Sequence, residues 1–180
     1  MSNIFLVSDT HFGHYGVCKF MREDGVTKLR PWDDPEKMDE DLVKLWNDRV
    51  KPNDKVYHLG DVAMNLKGLK VVHRLNGKKI LLKGNHDIYS DYEYKKYFNE
   101  IHSYYILNNM LLSHIPVHPG SLGKYSCNIH GHLHAGRVKD VSQNNIDIKY
   151  YCVSIEHTDF APILFDEVLE KISQQNKLIC

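Results

Sequence analysis

Short apolar runs that stop abruptly at Asp, Asn or His constrain this chain more than any other feature. Ile4 to Val7 is followed by Asp9-Thr10-His11, and Lys55 to Leu59 by Gly60-Asp61. Lys78 to Lys83 is followed by Gly84-Asn85-His86-Asp87. Compact runs of this length, bounded by Gly and polar residues, predict strands, the first of them buried on both faces. Pro35 to about Val50 predicts a helix between the first two strands, with Met38, Leu42, Leu45 and Trp46 at helical spacing, acids early and Arg49 late. Leu66 to Leu75, closed by Asn76-Gly77, predicts a second helix, and Asp91 to Phe98 a short third. Tyr15 to Asp34 has no period and predicts a long loop, with room for a small flap.

The second half is strand-rich. Ser103 to Leu107 and Met110 to His114 flank Asn108-Asn109, a hairpin signal. Ser126 to His130 and Ile146 to Ser154 are further strand candidates, Arg137 to Val141 is a weaker one, and Ala161 to Ile172 predicts a closing helix. Strand–helix alternation followed by strands points to an α/β fold with mixed sheets. With 180 residues, no repeat and no low-complexity linker, the chain is expected to form one domain, 1–180.

Composition excludes several classes. Lys plus Arg and Asp plus Glu are both 23, so the chain lacks the global basic footprint of a nonspecific nucleic-acid binder. Cys18, Cys127, Cys152 and Cys180 form no C-x-x-C pair, which suits a reducing cytosol rather than a disulfide framework. Met1 to Val7 lacks a basic n-region, and no stretch approaches the roughly 18 apolar residues of a membrane span. A cytoplasmic protein with no membrane partner is expected.

The strand ends carry the chemistry. The hairpin's second strand ends in Ser113-His114, and the next in Gly131-His132-Leu133-His134. Open α/β sheets bind ligands outside the carboxyl ends of their strands. Carboxylate, amide and imidazole together are mixed ligands for a borderline metal. Asp9 and His11 are two apart, as are His132 and His134, so in an extended segment each pair would face one cavity. Gly60, Gly84 and Gly131 remove bulk beside the candidate ligands.

The ordered set D-x-H, G-D, G-N-H-D, S-H and G-H-x-H, spanning Asp9 to His134, resembles the calcineurin-like metallophosphoesterase superfamily. Ser8 to His14 and Arg30-Pro31-Trp32 further resemble its small phage and bacterial members. The resemblance implies a four-layer αββα sandwich, with two mixed β-sheets flanked by helices and a dinuclear site at the strand C-terminal ends. It implies that Asp9, His11, Asp61 and His134 hold one divalent ion, and that Asp61, Asn85, His114 and His132 hold a second, with Asp61 bridging. Mn²⁺ is favoured, with Fe, Zn, Ni or Co as alternatives. Metal-bound hydroxide would attack phosphorus directly. His86 would protonate the leaving oxygen or steady developing charge, and Asp87 would orient a neighbouring imidazole.

Substrate is less constrained. Asp61 is followed by Val62-Ala63-Met64-Asn65, not by the Arg-Gly of the superfamily's protein phosphatases. The chain leaves little room for the helical lid of the lipid-processing relatives. A small phosphodiester or nucleotide-type ester is therefore the expected substrate, with a DNA nuclease or a non-catalytic metal-bound scaffold as alternatives. His14, Arg30 and His118 are candidate substrate contacts. Trp32 either packs its loop or stacks on a base, and Lys124-Tyr125 lies in a loop near His118. His58 and His130 are expected to pack or to support ligands, and His73 and His102 to lie on the surface. His157 has no evident partner.

Overall fold

A computed structural model of the protein describes residues 2–142 and 145–177, with side chains to residue 175. Met1 and Cys180 lie outside the described residues. The strands are β1 (Ile4–Val7), β2 (Lys55–His58), β3 (Lys78–Leu82), β4 (Glu100–His102), β5 (Tyr104–Leu107), β6 (Met110–Ser113), β7 (Cys127–His130), β8 (Tyr150–Cys152) and β9 (Ile163–Leu164). The α-helices are α1 (Pro35–Arg49), α2 (Leu66–Val71), α3 (Asp91–Tyr94), α4 (Pro119–Leu122) and α5 (Phe165–Lys177).

Two mixed sheets form. The first has the order β4-β3-β2-β1-β9, with β1 to β4 parallel and β9 antiparallel. The second is β5-β6-β7-β8, with an antiparallel hairpin followed by parallel pairs. Alternation along β1 explains its continuous apolar run. Phe5 and Val7 face a core shared with Met38, Leu42 and Trp46 of α1 and Leu69 of α2. Leu6 faces a second core, shared with Leu112, Ile129 and Tyr151 of the other sheet and Val168 of α5. The sheets thus pack face to face with helices around them, and α4 is the short helical element beside the second sheet.

Local chemistry accounts for the elements. Asp34 caps α1 by accepting from the Lys37 N–H at 3.1 Å, and Pro35 occupies its first turn. In the hairpin, Asn108 and Asn109 take φ of 46° and 63°, the left-handed pair that a tight hairpin turn requires.

Several expectations are corrected. The closing helix starts at Phe165, because Ile163 and Leu164 instead pair with Leu6 and Phe5 as an edge strand. Among the described residues, 137–141 form no strand but an isolated Lys139–Ile146 bridge, and the strand expected over 146–154 contracts to β8. β4 was not anticipated. Helix α2 ends at Val71 and passes into a 3₁₀ turn over Val72–Arg74, and only Asp91–Tyr94 of the third expected helix is α-helical. The 15–34 connection is not a free flap: it contains a 3₁₀ turn at Gly16–Lys19 and buries Val17, Cys18, Leu29 and Arg30.

Register positions the site. Val7, His58 and Leu81 lie abreast in the first sheet, so three polar loops leave it together. The sheets are stitched at the same end by a Ser8–Ser154 bridge, with Ser8 N–H donating to Val153 O and Ile155 N–H to Ser8 O.

Candidate metal centre

Six side chains from the strand ends form two groups, each able to hold a metal ion. Asp9, His11 and His134 make one, and Asp61, His114 and His132 the other, with the candidate ligand atoms of each group within 4.8 Å of one another. Asp61 lies between them. Its Oδ2 is 3.6 Å from His11 Nε2, and its Oδ1 is 3.4 Å from His114 Nε2. Asn85 Oδ1 is 2.9 Å from the same His114 Nε2, so the amide joins the second group.

The expected alternation of an extended chain is not how the pairs converge. Asp9, His11, Asp61, His132 and His134 all have left-handed backbones, with φ of 59°, 50°, 56°, 69° and 49°. This conformation costs a non-glycine residue about 1 kcal/mol or more, so strain is concentrated at the site. Glycines permit the close approach. A Cβ on Gly131 would lie 1.9 Å from Ser8 Oγ, and one on Gly84 would lie 2.3 Å from Asp61 Oδ1.

The donor set fits divalent ions. His11 is buried, and neither of its ring nitrogens has a hydrogen-bond partner, an arrangement that is costly unless something else satisfies them. Burial, then Arg30 and His134, push its pKa well below the ordinary value, which favours the neutral, ligating imidazole. His114 Nδ1 is 2.7 Å from Leu59 O, so a proton on Nδ1 leaves the Nε2 lone pair for the site. His134 is arranged alike, its Nδ1 3.1 Å from Glu156 Oε1. Burial pushes the Asp9 carboxyl up against the pull of His114 and His134, as expected for an anion placed to meet a cation. Ser154 Oγ donates to Asp9 Oδ2 at 2.7 Å, and His132 N–H donates to the same oxygen at 2.9 Å.

Two expected roles change. Asp87 orients no imidazole. Its carboxylate accepts from the backbone N–H groups of Asp61 (2.8 Å), Val62 (3.0 Å) and Gly84 (2.8 Å), tying two ligand loops together. Arg30 does not reach outward to a substrate phosphate. It is 1% exposed, and its guanidinium donates to Glu156 Oε1, Thr10 O and Asp9 O at 2.8, 2.9 and 2.6 Å, all inside the protein. Every nitrogen has an internal acceptor, so Arg30 braces the backbone of the first group.

His86 is exposed at the mouth, its ring 5.6 Å from that of His11, and its backbone N–H donates to Asp61 Oδ1 at 2.9 Å. His14 is beside the first group, its ring 5.4 Å from His11. His118 is exposed and caps α4, with Nδ1 accepting from Gly120 N–H at 3.1 Å. Trp32 packs edge-on against Phe160 and donates to Asp41. His58 is buried with Nε2 2.9 Å from Thr10 Oγ1, and His130 Nδ1 is 2.7 Å from Gly131 O. His157 pairs with Gly136 O, and His73 and His102 lie against Tyr97 and Glu100.

Glu156 is the principal residue that sequence reasoning missed. Burial opposes its ionisation, but Arg30 and His134 outweigh burial and hold its carboxyl down to about 2. Its signal was the same one that marked the other loops: Ser154 and Glu156 follow directly on β8.

Fold and site define an α/β protein with two mixed sheets and two potential metal-holding groups at the strand ends. No family model matches the chain. It is 30% identical over 183 residues to uncharacterized protein MJ1445 of Methanocaldococcus jannaschii, covering 99% of this chain and 96% of that protein, and it belongs to that protein's family. The crystal structure of AQ665 from Aquifex aeolicus, a protein of unknown function, has the same fold, with 27% identity and a TM-score of 0.71 over 94% of this chain and 99% of that one. A novel archaeal phosphodiesterase is a more distant neighbour, at 22% identity and a TM-score of 0.45 over 84% of this chain and 82% of that one. Among the described residues no helix is long and apolar enough to cross a membrane.

Proposed function

We propose that this protein is a dinuclear metal-dependent phosphoesterase of the calcineurin-like superfamily, acting on a small phosphodiester or nucleotide-type ester. The observation that carries this reading is Asp61, whose two carboxylate oxygens approach His11 and His114 from opposite groups. Divalent ions bound there, Mn²⁺ foremost, would polarise phosphoryl oxygens and bring the pKa of water toward neutrality. Asp9, His11, Asp61 and His134 would hold one ion, and Asp61, Asn85, His114 and His132 the other. His86 stands at the open side and gives a proton to the leaving oxygen. His14, beside His11, steadies a non-bridging oxygen. Three buried, unpaired thiols, Cys18, Cys127 and Cys152, support a cytoplasmic setting.

The test is hydrolysis of bis-p-nitrophenyl phosphate by metal-stripped protein resupplied in turn with Mn, Fe, Zn, Ni and Co. Turnover with at least one metal is expected, and His86→Ala should lose most of it while retaining metal. Silence with all five metals overturns the reading in favour of a scaffold.

A further inference from the structure

A groove leaves the metal centre on the side of Asn85 and His114. These residues line a depression together with Lys83, Ser103 and Ser113. The same two serines line a second depression, walled by Tyr104, Leu111, Val117, Ser121 and Tyr125. The two depressions thus adjoin along Ser103 and Ser113.

The hairpin explains the geometry. Tyr104 stands directly opposite Ser113 in the β5–β6 register, and Ile106 opposite Leu111. Side chains paired across an antiparallel ladder share a face. Their in-between neighbours Tyr105, Leu107, Met110 and Leu112 belong to the core between the sheets, so Tyr104 and Leu111 look the other way. Strand β6 therefore runs as a floor from this pocket to His114. The opposite wall, residues 117–125, is anchored at its start, Val117. Val117 N–H donates to Asn128 Oδ1 at 3.0 Å, and Tyr150 Oη donates to Val117 O at 2.8 Å. Asn128 in turn donates to Ser113 Oγ at 3.0 Å. A pocket fixed in this way requires little reordering to bind.

Its lining selects the occupant. The distal pocket contains two tyrosine rings, two aliphatic side chains and serine hydroxyls, and no charged residue. Such a surface suits a planar, uncharged ring with hydrogen-bonding edges and disfavours a second phosphate.

We propose that this groove binds the nucleoside portion of the substrate, with the base against Tyr104 and Tyr125 and the single scissile phosphate at the metal centre. The proposal rests on the phosphoesterase reading and narrows it: the substrate is a nucleoside monophosphate ester, not a polyanion such as duplex DNA.

Two p-nitrophenyl diesters with the same leaving group test it, one carrying thymidine 5′-phosphate and the other methyl phosphate. In the Mn²⁺-supplemented protein, kcat/KM should favour the thymidine ester at least tenfold. Tyr104→Ala and, independently, Ser121→Trp, which fills the pocket, should each cut that ratio at least fivefold. A ratio within twofold of unity in the natural protein, or one unmoved by both variants, overturns the groove while leaving the phosphoesterase intact. Calorimetric binding of adenosine 5′-monophosphate against inorganic phosphate gives a readout independent of turnover. The nucleotide should bind at least tenfold more tightly than phosphate, and Tyr125→Ala should erase most of the difference. Equal binding of the two overturns the groove whether or not either diester is hydrolysed, while the phosphoesterase reading is decided separately by the five-metal assay.

Discussion

The carboxylate of Asp87 accepts the backbone N–H of Asp61 at 2.8 Å, so the residue between the two candidate metal-holding groups is held by its main chain from a neighbouring loop. With the Val62 and Gly84 N–H groups and the Tyr94 hydroxyl on the same carboxylate, four acceptor lone pairs meet four donors. Asp87→Asn presents an amide N–H₂ to donors that cannot accept it. The variant should lose about 2 kcal/mol of stability, read as a fall in the urea midpoint. Metal affinity should fall about 10-fold to 100-fold. An unchanged midpoint would show that the staple contributes nothing.

Arg30 and Glu156 form an ion pair whose side chains are fully buried, at 2.8 Å. Glu156→Gln leaves a buried guanidinium without its countercharge and should cost about 3–5 kcal/mol. Adding Arg30→Met should recover part of that loss, giving a coupling energy above about 1 kcal/mol in a double-mutant cycle. Additive losses in thermal melts would contradict the pairing.

Metal content per chain separates the two groups. With Asp61 central, Asp61→Ala should bring bound Mn²⁺ close to zero at micromolar free metal, measured by elemental analysis. His134→Ala should keep the ion of the Asp61–His114–His132 group. Two ions retained in Asp61→Ala would refute the shared carboxylate.

Stability should respond to pH in opposite senses at two buried groups. Burial, then His114, lowers the His58 pKa to about 3 from 6.5. The unfolded chain therefore takes up a proton on this residue below 6.5 that the folded chain refuses. Stability from this source is complete above 6.5 and falls as pH drops toward 3, a loss on the order of 4–5 kcal/mol. In a pH series of thermal melts, His58→Gln should be visibly flatter than the natural protein between 6.5 and 4. Burial raises Asp39 to about 6 from 3.8, against the pull of the Gly13 N–H. Here the folded state holds the extra proton, so stability falls as pH rises from 3.8 through 6. Asp39→Asn should remove that decline; a parallel curve would assign it elsewhere.

Much of the candidate site was legible because the residue types that can ligate a metal are few and because the parallel strands carry their loops to one edge. Asp9, His11, Asp61, Asn85, His114, His132 and His134 were all marked by following an apolar run. Strands β1, β2, β3 and the Asn108-Asn109 hairpin were equally plain, since both faces of the first three are buried and the turn demands left-handed residues. β4 and β9 were not. Three and two residues long, they are too short to show a period, and pairing with β3 and β1 alone makes them strands.

By itself, then, the sequence determined which side chains form the candidate site and the α/β order that gathers them. Only the tertiary structure decided how they are aimed and supported. The internal use of Arg30, the backbone staple of Asp87 and the Glu156–His134 contact all join residues far apart in the chain. The physical reason is that a side chain's type is local, whereas its hydrogen-bond partners and burial depend on which loops the folded sheets bring together.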